Sequence, residues 1–240
     1  ASFTEKVVPL MAGLYILICF VIIIINYANI IKAFEAIFVN AFSTKSILGG
    51  FLGMGVKKAI RYGVARGLFS NEAGMGSTPH AHAIAKVKNS VEQGNVALIT
   101  VFIDTFIVLT LTALVILTSN IGDGTLTGIT LTKKAFEAAL GYSGTIFIAI
   151  ALFFFAFSTI IGWYFFGEAN IKYLFGKKVI NVYRILVMIA IFIGSTQKVE
   201  LVWELADLFN GLMVIPNLIA LIVLYKLVDN TSSEYDKLHL

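Results

Sequence analysis

FSNEAGMGS, residues 69–77, is a polar, Gly-rich interruption in a chain that is otherwise overwhelmingly apolar. Hydrophobic residues make up 58% of the 240 positions and charged ones only 13%, against roughly a quarter charged in an ordinary soluble domain. The bilayer is therefore the solvent in which the interruption must be read. Backbone N–H and C=O groups at membrane depth need partners, so such a stretch persists there only where protein or a water-filled cavity surrounds it. Gly74 and Gly76 can adopt positive φ, with Asn71, Glu72 and Ser77 beside them. Two readings stand open: an extramembrane turn between two shorter helices, or the unwound centre of a crossing helix.

On the N-terminal side, residues 47–68 are moderately apolar and rich in Gly and Ala, a composition that lets helices approach closely within a bundle. Together with the chain as far as Lys86 they predict one crossing, broken near its middle. Five unbroken apolar runs, residues 9–27, 95–119, 145–166, 179–196 and 201–228, supply the other crossings, since about 20 helical residues span the hydrocarbon core. Six crossings put both chain ends on one side. Lys172, Lys177, Lys178 and Arg184 lie between the third and fourth runs, and the positive-inside rule makes that side cytoplasmic. Lys86 and Lys88 agree, whereas Lys57, Lys58, Arg61 and Arg66 fall outside or within the bundle.

Two amphipathic segments accompany the spans. AFEAIFVNAF, residues 33–42, has the period of a helix lying along the interface. LTKKAFEAAL, residues 131–140, reads as a short helix over the outer face or as an ordinary surface helix. The net charge of +4 sits mainly between apolar runs, where topology explains it and no nucleic-acid partner is needed. Cys19 lies in an apolar run as a packing residue. The opening ASFTEKVV has neither an initiator Met nor a signal-peptide pattern, which suggests a start in mid-protein. The expected organisation is a single transmembrane unit over residues 1–240, the C-terminal part of a longer chain.

Several polar residues lie where polarity is costly. In transporters built on discontinuous helices, half-helix N-termini face anionic substrate groups and unwound carbonyls coordinate Na⁺ or H⁺; an amino-acid carboxylate suits the 69–77 stretch. Ser77 or Thr78 can cap the helix that follows, with Pro79 tolerated in its first turn. Glu72 is either functional or paired with Arg61 or Arg66. Asp104, ten residues into a span beside Thr105, must be functional or structurally paired. Glu204 and Asp207, three apart on one helix face, can meet Arg61 or Arg66 as an outer gate. Ser158 and Thr159 are midspan hydroxyls, which commonly bond back to a preceding carbonyl. Trp163, four residues after Thr159, shares its helix face or belongs to an interfacial aromatic belt. His80 and His82 point to different faces and lack companions at metal-ligand spacing. No HExxH, Cys/His cluster or spanning Ser with a nearby His suggests an enzyme. A non-transporting membrane scaffold would not need the Gly-rich break and midspan hydroxyls.

GVARGLFSNEAGMGSTPHAHAIA (residues 63–85) resembles the signature of the alanine/glycine:cation symporters, the sodium:alanine symporter family. FIDTFIVLTLTALVIL (102–117), AFSTIIGWYFFGE (156–168) and LVWELADLFNGLMVIPNLIAL (201–221) extend the resemblance over most of the chain. It implies an all-α, LeuT-like inverted-repeat fold, present in part as about six transmembrane helices including one broken helix. It further implies cation-coupled symport of alanine or glycine, with Na⁺ or H⁺ as coupling ion and no cofactor, in the cell membrane. Another small solute on the same fold is the alternative. Phe69, Ser70, Asn71, Gly74, Gly76, Thr159 and Trp163 are implied around the substrate, with Ser158 and Thr159 at the cation. Arg66, Glu72, Asp104 and Asp207 are implied as gating or structural partners. The N-terminal half of the transporter would supply the facing wall.

Overall fold

A computed structural model describes residues 2–42, 50–121 and 126–239, and all regular structure in them is helical. In chain order the helices are α1 (Ser2–Ile25), α2 (Ile30–Phe42), α3 (Gly50–Asn71), α4 (Thr78–His82), α5 (Ser90–Phe102), α6 (Leu109–Thr118), α7 (Gly128–Leu140), α8 (Tyr142–Phe175), α9 (Ile180–Ser195) and α10 (Val199–His239). A π-helical stretch, Ile103–Val108, joins α5 to α6. Among the described residues, five helical stretches are long and apolar enough to cross a membrane: Lys6–Ile25, Ser90–Thr118, Tyr142–Phe175, Lys177–Ser195 and Val199–Leu238. They coincide with the five apolar runs, and α10 continues as helix through the polar end DNTSSEYDKLH to a length of 41 residues.

The expected broken crossing from residue 47 to about Lys86 is not among these five stretches, and its second half is not a long helix. Residues 47–49 lie outside the described residues, as do the side chains of Lys57 and Lys58. The first half-helix, α3, is 22 residues long, but α4 has only 5, and residues 83–89 are not helical. After Ala83 N–H closes the last turn onto Pro79 O (2.8 Å), Ala85 N–H tightens onto His82 O (3.1 Å). The His82 ring lies 2.6 Å from the Gln93 amide of α5, a long-range contact that competes with continuing the helix to Lys86.

The chain divides into two compact units. The first, Ala1–Gly63 with Ile103–Ile161, has an apolar core in which α1 packs on α6 and α7, and α2 packs on α6. Tyr15, Cys19, Ile22, Val115 and Phe136 lie at its centre. The Tyr15 ring stacks on Phe136 with centroids 5.9 Å apart, and its hydroxyl meets Thr112 Oγ1 at 2.7 Å. Asn29 Nδ2 donates to Thr118 O (2.9 Å), fixing the end of α6. The amphipathic α7 is a core element: Ala135 and Phe136 are fully buried, and Gly141 N–H bonds Glu137 O at its C-terminus. Cys19 is a free, buried thiol.

The second unit, Val64–Phe102 with Gly162–Leu240, comprises the end of α3, the break, α4, α5, the end of α8, α9 and α10. Its described members are joined largely by polar and aromatic contacts. Between α8 and α9, Tyr164 stacks on Tyr183. There Arg184 Nε donates to the Tyr164 hydroxyl (2.9 Å), which donates to Glu168.

Candidate functional site

The break begins where α3 ends at Asn71. Glu72 (φ 55°), Gly74 (81°) and Gly76 (86°) are all left-handed, which turns the chain three times within five residues. For glutamate this conformation costs roughly 1–2 kcal/mol, and local bonds offset the cost. Glu72 N–H donates to Leu68 O (3.0 Å) and Glu72 O accepts from Met75 N–H (3.1 Å). Asn71 Oδ1 accepts from Ala73 N–H at 3.0 Å. Ser77 stands at the N-cap position of α4 without a side-chain capping bond; its hydroxyl instead donates to Glu72 Oε2 (2.5 Å). Pro79 occupies the first turn of α4, where its missing N–H is an orphan anyway. Met75, 1% exposed, anchors the segment.

Within the same unit, α10 meets α3 and the break at two levels. At the first, Arg66 grips Asp207 with two bonds, Nη1 to Oδ1 at 2.6 Å and Nη2 to Oδ2 at 3.4 Å. The guanidinium also lies 3.8 Å from the centroid of the Trp203 ring, and Trp203 meets Phe69 edge-on at 5.1 Å. Ten residues beyond Asp207, about 15 Å along the helix, Asn217 Nδ2 donates to Gly74 O at 2.8 Å. Between the break, α5 and α10 lies an open cavity of about 780 Å³, lined at the break by Glu72, Gly74 and Gly76 and opposite by Gln93, Ala97 and Asn217. His80 ties the start of α4 to α8: its Nδ1 faces Ser77 O (3.0 Å) and its Nε2 faces Asn170 Nδ2 (2.9 Å). Among the described residues no group of three His, Cys, Asp or Glu is arranged to hold a metal.

The residues singled out in the sequence are thus distributed unevenly. Glu72, Gly74 and Gly76 line the cavity; Ser70 and Asn71 end α3 just before it. Phe69 is not among the lining residues and packs on Trp203. Of the acid and base alternatives, Arg66 meets Asp207, while Glu72 takes the Ser77 hydroxyl. Ser158 and Thr159 belong to the first unit. Ser158 Oγ donates to Phe155 O (2.9 Å), leaving oxygen lone pairs, and Thr159 is exposed. Trp163 is half-buried in the second unit, edge-on to Phe166 at 5.9 Å. Asp104 opens the π-helical stretch, half-buried. Sequence reasoning passed over Met75, Trp203, Gln93 and Asn217. For Asn217 a signal was present: an amide directly after a proline, inside an apolar run.

A profile of the sodium:alanine symporter family matches residues 1–239. The chain belongs to this family. It is 41% identical over 239 residues to a sodium/alanine symporter of Methanococcus maripaludis, covering 98% of this chain and 52% of that protein. An amino-acid carrier protein of Bacillus subtilis is 39% identical, covering 98% and 50%. A probable sodium/glutamine symporter of the same organism is 42% identical, covering 99% and 49%. The chain spans about half the length of the curated relatives it matches. The family is one of transporters, the five apolar helical stretches are consistent with it, and the break lies within the matched region.

Proposed function

We propose that this chain forms part of a secondary active transporter in which a cation gradient, Na⁺ or H⁺, drives a small neutral amino acid, alanine or glycine, across the cell membrane by alternating access. One observation supports the reading above the others. The left-handed Gly74 and Gly76 border the cavity, and their amide N–H groups have no hydrogen-bond partner among the described residues. Backbone N–H groups exposed in such turns form concavities suited to anions, and a substrate carboxylate is the anion an amino-acid transporter must hold. Small residues lining the cavity, Ala73 in the break and Ala97 on α5, leave room for the rest of the molecule.

In this reading the fold is LeuT-like with inverted repeats, and the N-terminal half of the same transporter supplies the facing wall. Phe69, Ser70 and Asn71 shape the approach to the pocket. Ser158 and Thr159 offer hydroxyl oxygens to the coupling ion, a hard cation that prefers oxygen donors. The Arg66–Asp207 pair gates the outer end, Asp104 serves as an internal structural or gating partner, and both ends of this chain are cytoplasmic. The test is uptake of labelled alanine, glycine and glutamine by proteoliposomes containing the full-length protein. It is run under an inward Na⁺ gradient, a proton gradient or neither. Gradient-dependent accumulation of alanine or glycine is expected; accumulation of none of the three under any gradient would sink the reading.

A further inference from the structure

Asn217 lies in the middle of α10, inside the apolar stretch that follows Gly211. An amide there is poorly matched to its surroundings unless its donors are used. The preceding residue, Pro216, lies inside the helix and cannot supply the N–H that would close onto the Leu212 carbonyl four residues earlier. The helix is thus locally weakened at the point where it faces the break. The Asn217 amide donates out of its own helix, to Gly74 O at 2.8 Å, across 143 positions of sequence.

The consequence falls on one peptide group. The Gly74–Met75 peptide is held at both ends, its carbonyl by Asn217 and its N–H by Glu72 O at 3.1 Å. On its far side Gly76 fits against the same asparagine. A Cβ at Gly76 would come within 3.1 Å of Asn217 Cβ, Cγ and Oδ1, tighter than an ordinary contact. The Gly74 carbonyl is thus occupied, whereas the Gly74 and Gly76 N–H groups have no hydrogen-bond partner among the described residues.

We propose that Asn217 is a positioning residue of the transport cycle. It fixes the Gly74–Met75 peptide so that the Gly74 and Gly76 amides are preorganised for the substrate carboxylate, and it makes that arrangement depend on where α10 stands against the break. The inference rests on the transport reading given above. A small movement of α10 at Pro216 withdraws the amide from Gly74, and substrate affinity falls with it.

The experiment compares wild type with Asn217→Asp in proteoliposomes holding the full-length protein, with initial uptake rates normalised to inserted protein. The aspartate is nearly isosteric but sets a carboxylate against the Gly74 carbonyl. Its substrate KM should rise at least about tenfold at neutral pH while Vmax stays within about twofold. As the pH is lowered and the introduced carboxyl protonates, it can donate again, and KM should return toward the wild-type value; an altered but merely structural site would not give that pH-dependent recovery. Should Asn217→Asp fail to insert, Asn217→Ala takes its place, with the same rise in KM expected at every pH. A wild-type KM in the inserted variant, or a loss confined to Vmax, overturns the inference and leaves the transport reading intact. Absence of uptake by the wild type removes both.

Discussion

The two units of this chain bury different things. Among the described residues, the first holds every buried hydrophobic side chain except one, and all of these but Met11 join a single core drawn from α1, α2, α6, α7 and α8. In the second, the buried residues are Met75 and Ser77, both in the break. The first unit is organised by side chains packed on side chains. The second holds its most irregular backbone with a few directed bonds: Ser77 to Glu72, Asn217 to Gly74, and Arg66 to Asp207. Packing is broad and tolerant of small losses, whereas directed bonds concentrate their effect on single atoms. Damage to the first unit should therefore reduce how much protein folds, and damage to the second should change how the folded protein handles its substrate.

The largest effect is expected in the first unit. Phe136, fully buried, loses roughly 3–5 kcal/mol of packing on truncation to alanine. Phe136→Ala should sharply lower the melting temperature in detergent while leaving KM unchanged in whatever inserts; a changed KM with unchanged melting would erase the distinction between the units. Next is Gly76→Ala, which places a Cβ both at φ +86° and against Asn217. Left-handed strain of roughly 1–2 kcal/mol and overpacking of about 1–3 kcal/mol predict uptake reduced by at least about 30-fold. In contrast, Gly13→Ala in α1 has nothing within 4 Å and should leave uptake within about twofold of wild type. Equal behaviour of the two glycine variants would argue that the turns of the break are irrelevant to transport.

Ser77→Ala removes a buried hydroxyl from the Glu72 carboxylate, a bond to a charged group worth about 1.5–3 kcal/mol. A rise in KM of roughly tenfold, with a melting temperature lowered by less than in Phe136→Ala, is expected from kinetics and thermal melts on the same preparation. A smaller effect is expected at the Arg66–Asp207 pair, which is only partly buried, its side chains 31% and 24% exposed, so that solvent screening weakens it. Arg66→Glu and Asp207→Arg should each slow uptake a few-fold, and the double reversal should recover most of it. No recovery would mean that the contact plays no part in the cycle.

How far these features could be read from sequence depends on the range over which each is determined. The five spans are legible because hydropathy sums over some 20 residues and ignores partners. The break is legible because Gly and Asn mark left-handed turns wherever they occur, although the left-handed residue at its start is Glu72. The early end of α4 was not legible: AHAIAK favours a helix locally, and the competing His82–Gln93 contact is tertiary. Nor was the π-helical widening at Asp104, which has no compositional mark. Charge bookkeeping marked Lys57, Lys58, Arg61 and Arg66 as misplaced cations, with Arg61 or Arg66 to pair with Glu204 and Asp207. Only three-dimensional placement selects Arg66 with Asp207. The role of α7 was half legible, since its period announces an apolar face but not that Phe136 enters the core. Trp203 and Asn217 act through residues more than 130 positions away, beyond any local pattern.

The 41 residues of α10 amount to about 60 Å of helix at 1.5 Å per residue, roughly twice the ~30 Å depth of a hydrocarbon core. Even a tilt of about 40°, the upper end of the usual range, leaves more than 40 Å along the membrane normal. The surplus includes the polar DNTSSEYDKLH end, residues 229–239, whose 11 helical residues make a rod of about 16 Å. A fluorophore fixed at its tip would ride on the same helix that carries Trp203, Asp207 and Asn217. It would report, from the aqueous phase, any rocking of α10 too small to see at the break itself.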